Sequence, residues 1–257
     1  AFLIYMMIFT YGGLVMRGVI EEKTSRIIEI IISSVKPFQL LMGKIIGIAG
    51  VFLLQMLLWV VLTGAIVVGV QSAFMGDMMD PEALSGNMMG GQSAQMEQVQ
   101  EMAQDSSQLE QIYLTLANIP WGRFVGTFIF FFLGGYLMYS SLFAAIGGAV
   151  DNETDTQQFM LPITIPLILA IVLIAPIVEN PDGSLALWTS MIPFTSPIIM
   201  TARVLFGVSN AKLFTSMGIL VASFLVSTWV GAKIYRTGIL MYGKKPTYKD
   251  LWKWLKA

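Results

Sequence analysis

The chain alternates long apolar stretches with short polar ones, and the apolar stretches are longer than the helices of a soluble core require. About 20 residues of apolar helix cross a bilayer, and five stretches reach or approach that length: 1–16, 40–70, 124–150, 159–178 and 214–235. The first starts in mid-run at Ala1, without an initiator Met or a basic leader, so the sequence reads as a fragment of a longer chain. The second exceeds a straight crossing and is expected to tilt or project. The fourth holds Pro162, Pro166 and Pro176, whose missing amide donors predict a kink or a break. The pattern predicts an all-α, polytopic membrane protein forming one transmembrane domain over 1–257.

Between the first two spans, residues 17–36 change period. Ile20, Ile27, Ile28, Ile31 and Ile32 recur at helical spacing, while Glu22 with Arg26 and Arg26 with Glu29 can pair on the polar side. This predicts an amphipathic helix, with Pro37 opening the next helix and an elbow at Val35–Pro37. Such a helix either lies on the headgroups or docks a cytoplasmic partner, and periodicity leaves both open. Residues 71–120 combine a Gly- and Met-rich stretch with a Gln-rich piece whose apolar stripe (Met96, Val99, Met102, Leu109, Ile112, Tyr113, Leu116) predicts a further helix, a lid or spacer. Met75, Met78, Met79, Met88 and Met89 invite a thioether site for copper(I). No regular repeat brings three sulfurs together, so flexible packing is the better account and no metal is expected.

Charge orients this pattern. Only 12% of residues are charged, against about a quarter in soluble domains, and the mean hydropathy is +0.73. Five basic residues (Arg17, Lys23, Arg26, Lys36, Lys44) precede or open the second span, and seven (Lys233, Arg236, Lys244, Lys245, Lys249, Lys253, Lys256) close the chain. Residues 71–120 have none and carry seven acids. Basic flanks stay in the cytoplasm, which places 17–44 and the tail 236–257 inside, and both 71–120 and a re-entrant or interfacial segment 179–212 outside, in the inner (cytoplasmic) cell membrane. The acidic connection Asp151–Gln158 is the weak joint of this assignment, since it falls inside; acids count little in the rule. The net charge of −1 offers no basic field for nucleic acid.

Candidate chemistry is sparse. The chain has no Cys and no His, which removes thiolate and imidazole nucleophiles, bases and metal ligands. No acid lies in mid-span to build a carboxylate dyad, and Gly43-Lys44 lacks the surroundings of a phosphate loop; an enzyme is not expected. Gln55 is the strongly polar residue of the second span, suited to a hydrogen bond with a neighbouring helix or to contact with cargo in a pathway. Gly43 with Gly47 and Gly122 with Gly126 form G-x-x-x-G pairs that allow close helix approach.

The run from Glu21 through Glu22, Lys23, Arg26 and Glu29 to Ile30, continued by Ser33-Ser34-Val35-Lys36-Pro37-Phe38-Gln39-Leu40-Leu41-Met42-Gly43-Lys44, resembles the signature of type-two ABC exporter permeases, the ABC-2 family. Asp151–Pro162 and Ile192-Pro193-Phe194-Thr195-Ser196-Pro197, followed by Met200 and Arg203, are similar to further segments of that family. The nearest branch in this resemblance is the NatB-like sodium-exporter permeases; the family's first span and large external domain are missing here. The resemblance implies five helices of a six-helix fold and a cytoplasmic coupling helix seated on a separate ATP-binding subunit. Glu21, Glu22, Lys23, Arg26 and Glu29 would then be the contacts, and Pro37, Gly43 and Lys44 the elbow. It implies efflux of a substrate such as sodium or a small molecule by a dimer of permeases in the lipid bilayer. ATP and magnesium would sit on the partner, with no cofactor on this chain. The competing reading is a membrane scaffold or regulatory subunit that binds the ATPase without transporting.

Overall fold

The computed structural model describes residues 1–27, 35–78, 119–241, 243 and 246–256, with backbone alone for 70–78. Nine α-helices follow in order among the described residues: α1 (Phe2–Thr24), α2 (Pro37–Met78), α3 (Trp121–Ala149), α4 (Gln157–Val172), α5 (Ile174–Glu179), α6 (Ser184–Met191), α7 (Ser196–Arg203), α8 (Asn210–Gly238) and α9 (Tyr248–Lys256). Among the described residues five segments are long and apolar enough to cross a membrane: Phe2–Thr24, Pro37–Gly69, Trp121–Ala149, Glu153–Val172 and Asn210–Gly238. These are the five expected spans, and the all-helical class expected from the apolar pattern is the one observed. Ala1–Phe52 with Trp121–Ala257 forms one compact unit and Leu53–Pro120 a second. The described side chains of the second unit are a helical stretch of exposed apolar residues such as Leu54, Leu57, Trp59 and Val60.

In the first unit α3 is the central helix, and its neighbours reveal their direction by which residues meet. A Cβ on Gly135 would touch Ile8, one on Gly12 would touch Phe143, and one on Gly147 would stand 2.6 Å from the Met16 carbonyl oxygen, so α1 and α3 run parallel. Gly134 meets Leu220, Gly231 lies 2.7 Å from the Ser141 carbonyl by the same measure, and Gly238 meets Gly148, so α8 is parallel to both. α2 runs the other way: Phe52 stacks on Phe132 at 4.2 Å while the Tyr136 hydroxyl, one turn further along α3, donates to the Ile45 carbonyl at 2.9 Å. Helices that alternate direction through a bilayer put odd-numbered spans parallel, which is this arrangement.

The glycines that allow this packing are not those of the G-x-x-x-G pairs. Around Gly43, Gly47, Gly122 and Gly126 an added Cβ meets open space among the described residues, whereas Gly147 and Gly231 lie against backbone, where nothing can yield.

Proline shapes α4 selectively. Pro162 and Pro166 sit inside the helix without ending it, while the expected break falls at Leu173, before Pro176. Pro162 frees the Gln158 carbonyl four residues earlier, and the Tyr248 hydroxyl of α9 takes it at 2.6 Å. Pro176 removes the donor to the Val172 carbonyl, and there the helix is interrupted.

α6 and α7 form a hairpin turning at Ile192–Thr195. Its tip is held by Tyr139, which donates to the Phe194 carbonyl at 2.7 Å, and by Pro197, packed where a Cβ on Gly135 would come within 2.7 Å. Tyr139 lies about 27 Å along α3 from Trp121 at 1.5 Å per residue, so the hairpin tip meets α3 in its C-terminal half. Fully buried Arg203 ties the hairpin together, donating to the Pro181 carbonyl at 2.9 Å and to Ser190 Oγ at 2.5 Å.

Gly231→Leu is expected to destabilise the protein by about 1–3 kcal/mol, the usual cost of overpacking. Gly218→Ala on the same helix, which faces open space, is expected to cost nothing and to gain up to about 1 kcal/mol from helix propensity. Thermal unfolding of the two variants in detergent checks the contrast.

Candidate functional site

The sequence between Met16 and Thr24 contains no helix breaker beyond Gly18, and α1 accordingly continues through Arg17 to Thr24 instead of ending at Met16. The helix stops at Ser25–Arg26. The Ser25 amide donates to the Glu21 carbonyl at 3.0 Å, the Arg26 amide to the Lys23 carbonyl at 3.1 Å, and Arg26 adopts φ +56°. A left-handed residue commonly ends a helix and is usually Gly or Asn. In an L-residue with a side chain this conformation costs on the order of 1 kcal/mol.

Arg26 therefore lies past the helix end, out of the i, i+4 register with Glu22 that the sequence suggests. Glu22 instead reaches across to α2, where its Oε2 is 2.7 Å from Lys44 Nζ. Gly18, one turn earlier, makes room, with Lys44 Nζ 3.3 Å from where a Cβ would stand.

α2 begins at Pro37, as the sequence predicts, and the Lys36 carbonyl accepts from the amides of Gln39 and Leu40 at 2.9 and 3.2 Å. The end of α1 and the start of α2 enclose an open cleft of about 620 Å³, lined by Glu21, Glu22, Val35, Gln39, Gly43 and Lys44. Four of the sequence-predicted site residues thus meet in one place. Glu21 and Arg26 are exposed, and Pro37, half-buried, is the first residue of α2. Gln55 belongs to the second unit and is exposed. Glu29, with the rest of 28–34 of the predicted amphipathic helix, and the Met-rich stretch from Met79 onward lie outside the described residues.

Lys23 corrects the expected set. The family resemblance implies a contact with the ATP-binding subunit there, but its side chain is 1% exposed. Its Nζ donates to the carbonyls of Gly148 and Gly238, each at 2.9 Å, and pairs with Asp151 Oδ1 at 2.9 Å. The three donors of the ammonium match three acceptors, contributed by the ends of α3 and α8 and by the connection after α3. Asp151 uses its other oxygen to accept from the Gly243 amide at 2.7 Å. Two acids of the Asp151–Gln158 connection pair with α1, since Glu153 also reaches Arg17 at 3.5 Å. The signal for Asp151 was the acidic joint that fitted the charge rule poorly. Among the described residues no cluster of three or more acidic side chains could hold a metal ion.

Five helices among the described residues that are long and apolar enough to span a membrane, a helical hairpin packed on α3 and an elbow whose charges pair across a cleft define a multi-pass helical membrane protein. The sequence pattern of the family described as ABC-2 family transporter protein matches residues 1–233, and the chain belongs to that family. It is 28% identical over 251 residues to the uncharacterized protein YhaP of Bacillus subtilis (strain 168), covering 97% of this chain and 52% of the relative. It is 26% identical over 249 residues to the uncharacterized protein MJ1024 of Methanocaldococcus jannaschii, covering 96% and 50%. The chain thus spans about half the length of the curated relatives it matches. No solved structure matches.

Lys23→Met leaves Asp151 and two helix-end carbonyls without their donor and is expected to cost about 3 kcal/mol, the lower end for a broken buried pair because Asp151 keeps some contact with solvent. Arg26→Gln, at an exposed side chain, is expected to stay within about 0.5 kcal/mol of the parent. Unfolding midpoints in one detergent compare the two.

Proposed function

We propose that this chain is the membrane permease part of an ATP-driven exporter, and that the α1–α2 elbow receives a separate ATP-binding subunit, which carries ATP and magnesium. The observation that carries this reading is the cleft of about 620 Å³ between the helix ends, bridged by the Glu22–Lys44 pair. One ion pair with partly exposed members contributes modestly, about 0–1 kcal/mol, so a docking partner can open or close the cleft at small cost. Glu21, Glu22 and Arg26 are the proposed contacts, joined by Glu29 on the strength of the family signature. Lys23 is withdrawn from the contact set and becomes the internal anchor. Because it ties α1 to the ends of α3 and α8, displacement of the elbow would be felt by three spans together, the two-state rigid-body coupling that such transport requires. A second permease subunit would complete the pathway across the cell membrane, with sodium or a small molecule as cargo and the elbow and the chain's C-terminal end in the cytoplasm.

The test is reconstitution with the cognate ATP-binding subunit in proteoliposomes. Glu21→Lys combined with Arg26→Glu is expected to lower permease-dependent ATP hydrolysis at least tenfold, about 1.4 kcal/mol of coupling, while the protein stays inserted and folded. Unchanged subunit binding and unchanged stimulation in that variant would remove the elbow from the docking site. Stimulation that never responds to any cargo tried would favour the scaffold.

A further inference from the structure

We propose that α9 is an interfacial anchor that seats on a leaflet of anionic phospholipid, with its lysines holding the lipid phosphates. The short helix is specified locally. The Thr247 amide and hydroxyl donate to Asp250 Oδ2 at 3.1 and 2.9 Å, and the Asp250 amide donates back to Thr247 Oγ1 at 3.4 Å, a reciprocal cap of the capping-box type.

The two faces of the helix differ. Leu251, Trp254 and Leu255 pack against Ala145, Ala149 and Ile234, and the Tyr248 ring meets Phe159 edge-on at 5.0 Å. Lys249, Lys253 and Lys256 fall on the outer face and are exposed, with Trp252 between them, 62% exposed and carrying Lys256 Nζ 5.5 Å above its ring. The one acid of the helix, Asp250, is occupied by the cap.

Depth decides what the outer face meets. Ala145 and Ile234 stand four residues before the ends of α3 and α8, so α9 lies about 6 Å back along the spans, beside their ends and not beyond them. Trp229 of α8, 58% exposed and with Lys233 Nζ 5.0 Å over its ring, lies next to the end of α9, where Lys233 donates to the Leu255 carbonyl at 3.0 Å. Exposed Trp252 with its lysines, beside the level where spans end, matches the headgroup region, which favours amphipathic rings and draws basic side chains to lipid phosphate. A merely solvated basic face would leave the Trp252 indole in water without gain. This assignment does not depend on which side of the membrane the elbow faces, nor on the proposed docking.

The experiment is tryptophan quenching of the whole protein in phosphatidylcholine bilayers containing a minor fraction of dibrominated lipid, either phosphatidylglycerol or phosphatidylcholine. Brominated phosphatidylglycerol is expected to quench with a preference of about fivefold, the ratio for about 1 kcal/mol from one basic residue near an anionic surface. Trp252→Phe should remove the larger part of that difference. Changing Lys249, Lys253 and Lys256 together to Gln should bring the two lipids to equality, while changing all three to Arg should keep the preference, which separates lost charge from lost folding. Equal quenching in the parent protein, or a preference that survives the three Gln substitutions, overturns the proposal. Loss of the preference on adding inorganic phosphate would assign the lysines to a soluble anion, and shielding of Trp252 by an ATP-binding subunit without any lipid preference would assign the face to a protein; either result also overturns it.

Discussion

The buried ammonium of Lys23 is the interaction on which the first unit rests. α1, α3 and α8 run parallel and finish at one level, and each helix end there carries about half a negative charge and carbonyls without intrahelical donors. Three such ends gathered in an apolar setting repel one another and leave their last carbonyls unsatisfied. Lys23 answers both difficulties, because its charge offsets the dipoles and its protons go to Gly148 and Gly238. The dependence runs both ways, since an ammonium buried without partners costs several kcal/mol.

Around that point the packing is graded from rigid to adjustable. Gly147 and Gly231 press against backbone, and backbone contacts cannot relax by changing rotamer. The Glu22–Lys44 pair uses two flexible side chains across an open cleft. Motion at the elbow is thus easiest in the cleft, while the cluster beside it moves as one body. Asp151 extends the cluster further, holding Lys23 with one oxygen and the Gly243 amide with the other, so the segment leading to α9 is fastened to the same carboxylate.

Much of the architecture is legible because a bilayer makes simple demands. The length of an apolar run sets a span, and five runs appear as five helices among the described residues, with bounds shifted by up to eight residues. Pro37 as a first helical residue follows from its fixed φ. What stays hidden depends on contacts distant in sequence. Nothing in Glu21-Glu22-Lys23 shows that the third residue points inward and the first outward; that is decided by where Gly148 and Gly238 arrive. The G-x-x-x-G spacing selects glycines that meet open space, since spacing marks a face without saying whether anything approaches it. Pro162 looks like a breaker and is tolerated, because Tyr248, 86 positions later in the chain, supplies the missing donor. The depth of the α6–α7 hairpin rests likewise on Tyr139 and Gly135, which carry no mark of that role.

The partners of Lys23 also set an order of assembly. Lys23 and Gly238 are 215 positions apart, so a ribosome completes the first span long before the carbonyl that its lysine needs exists. Until α8 has been made and inserted, the ammonium at the end of α1 has Gly148 and Asp151 but lacks its third acceptor. The chain can therefore complete the set of partners that draws that end inward only after α8 is in place.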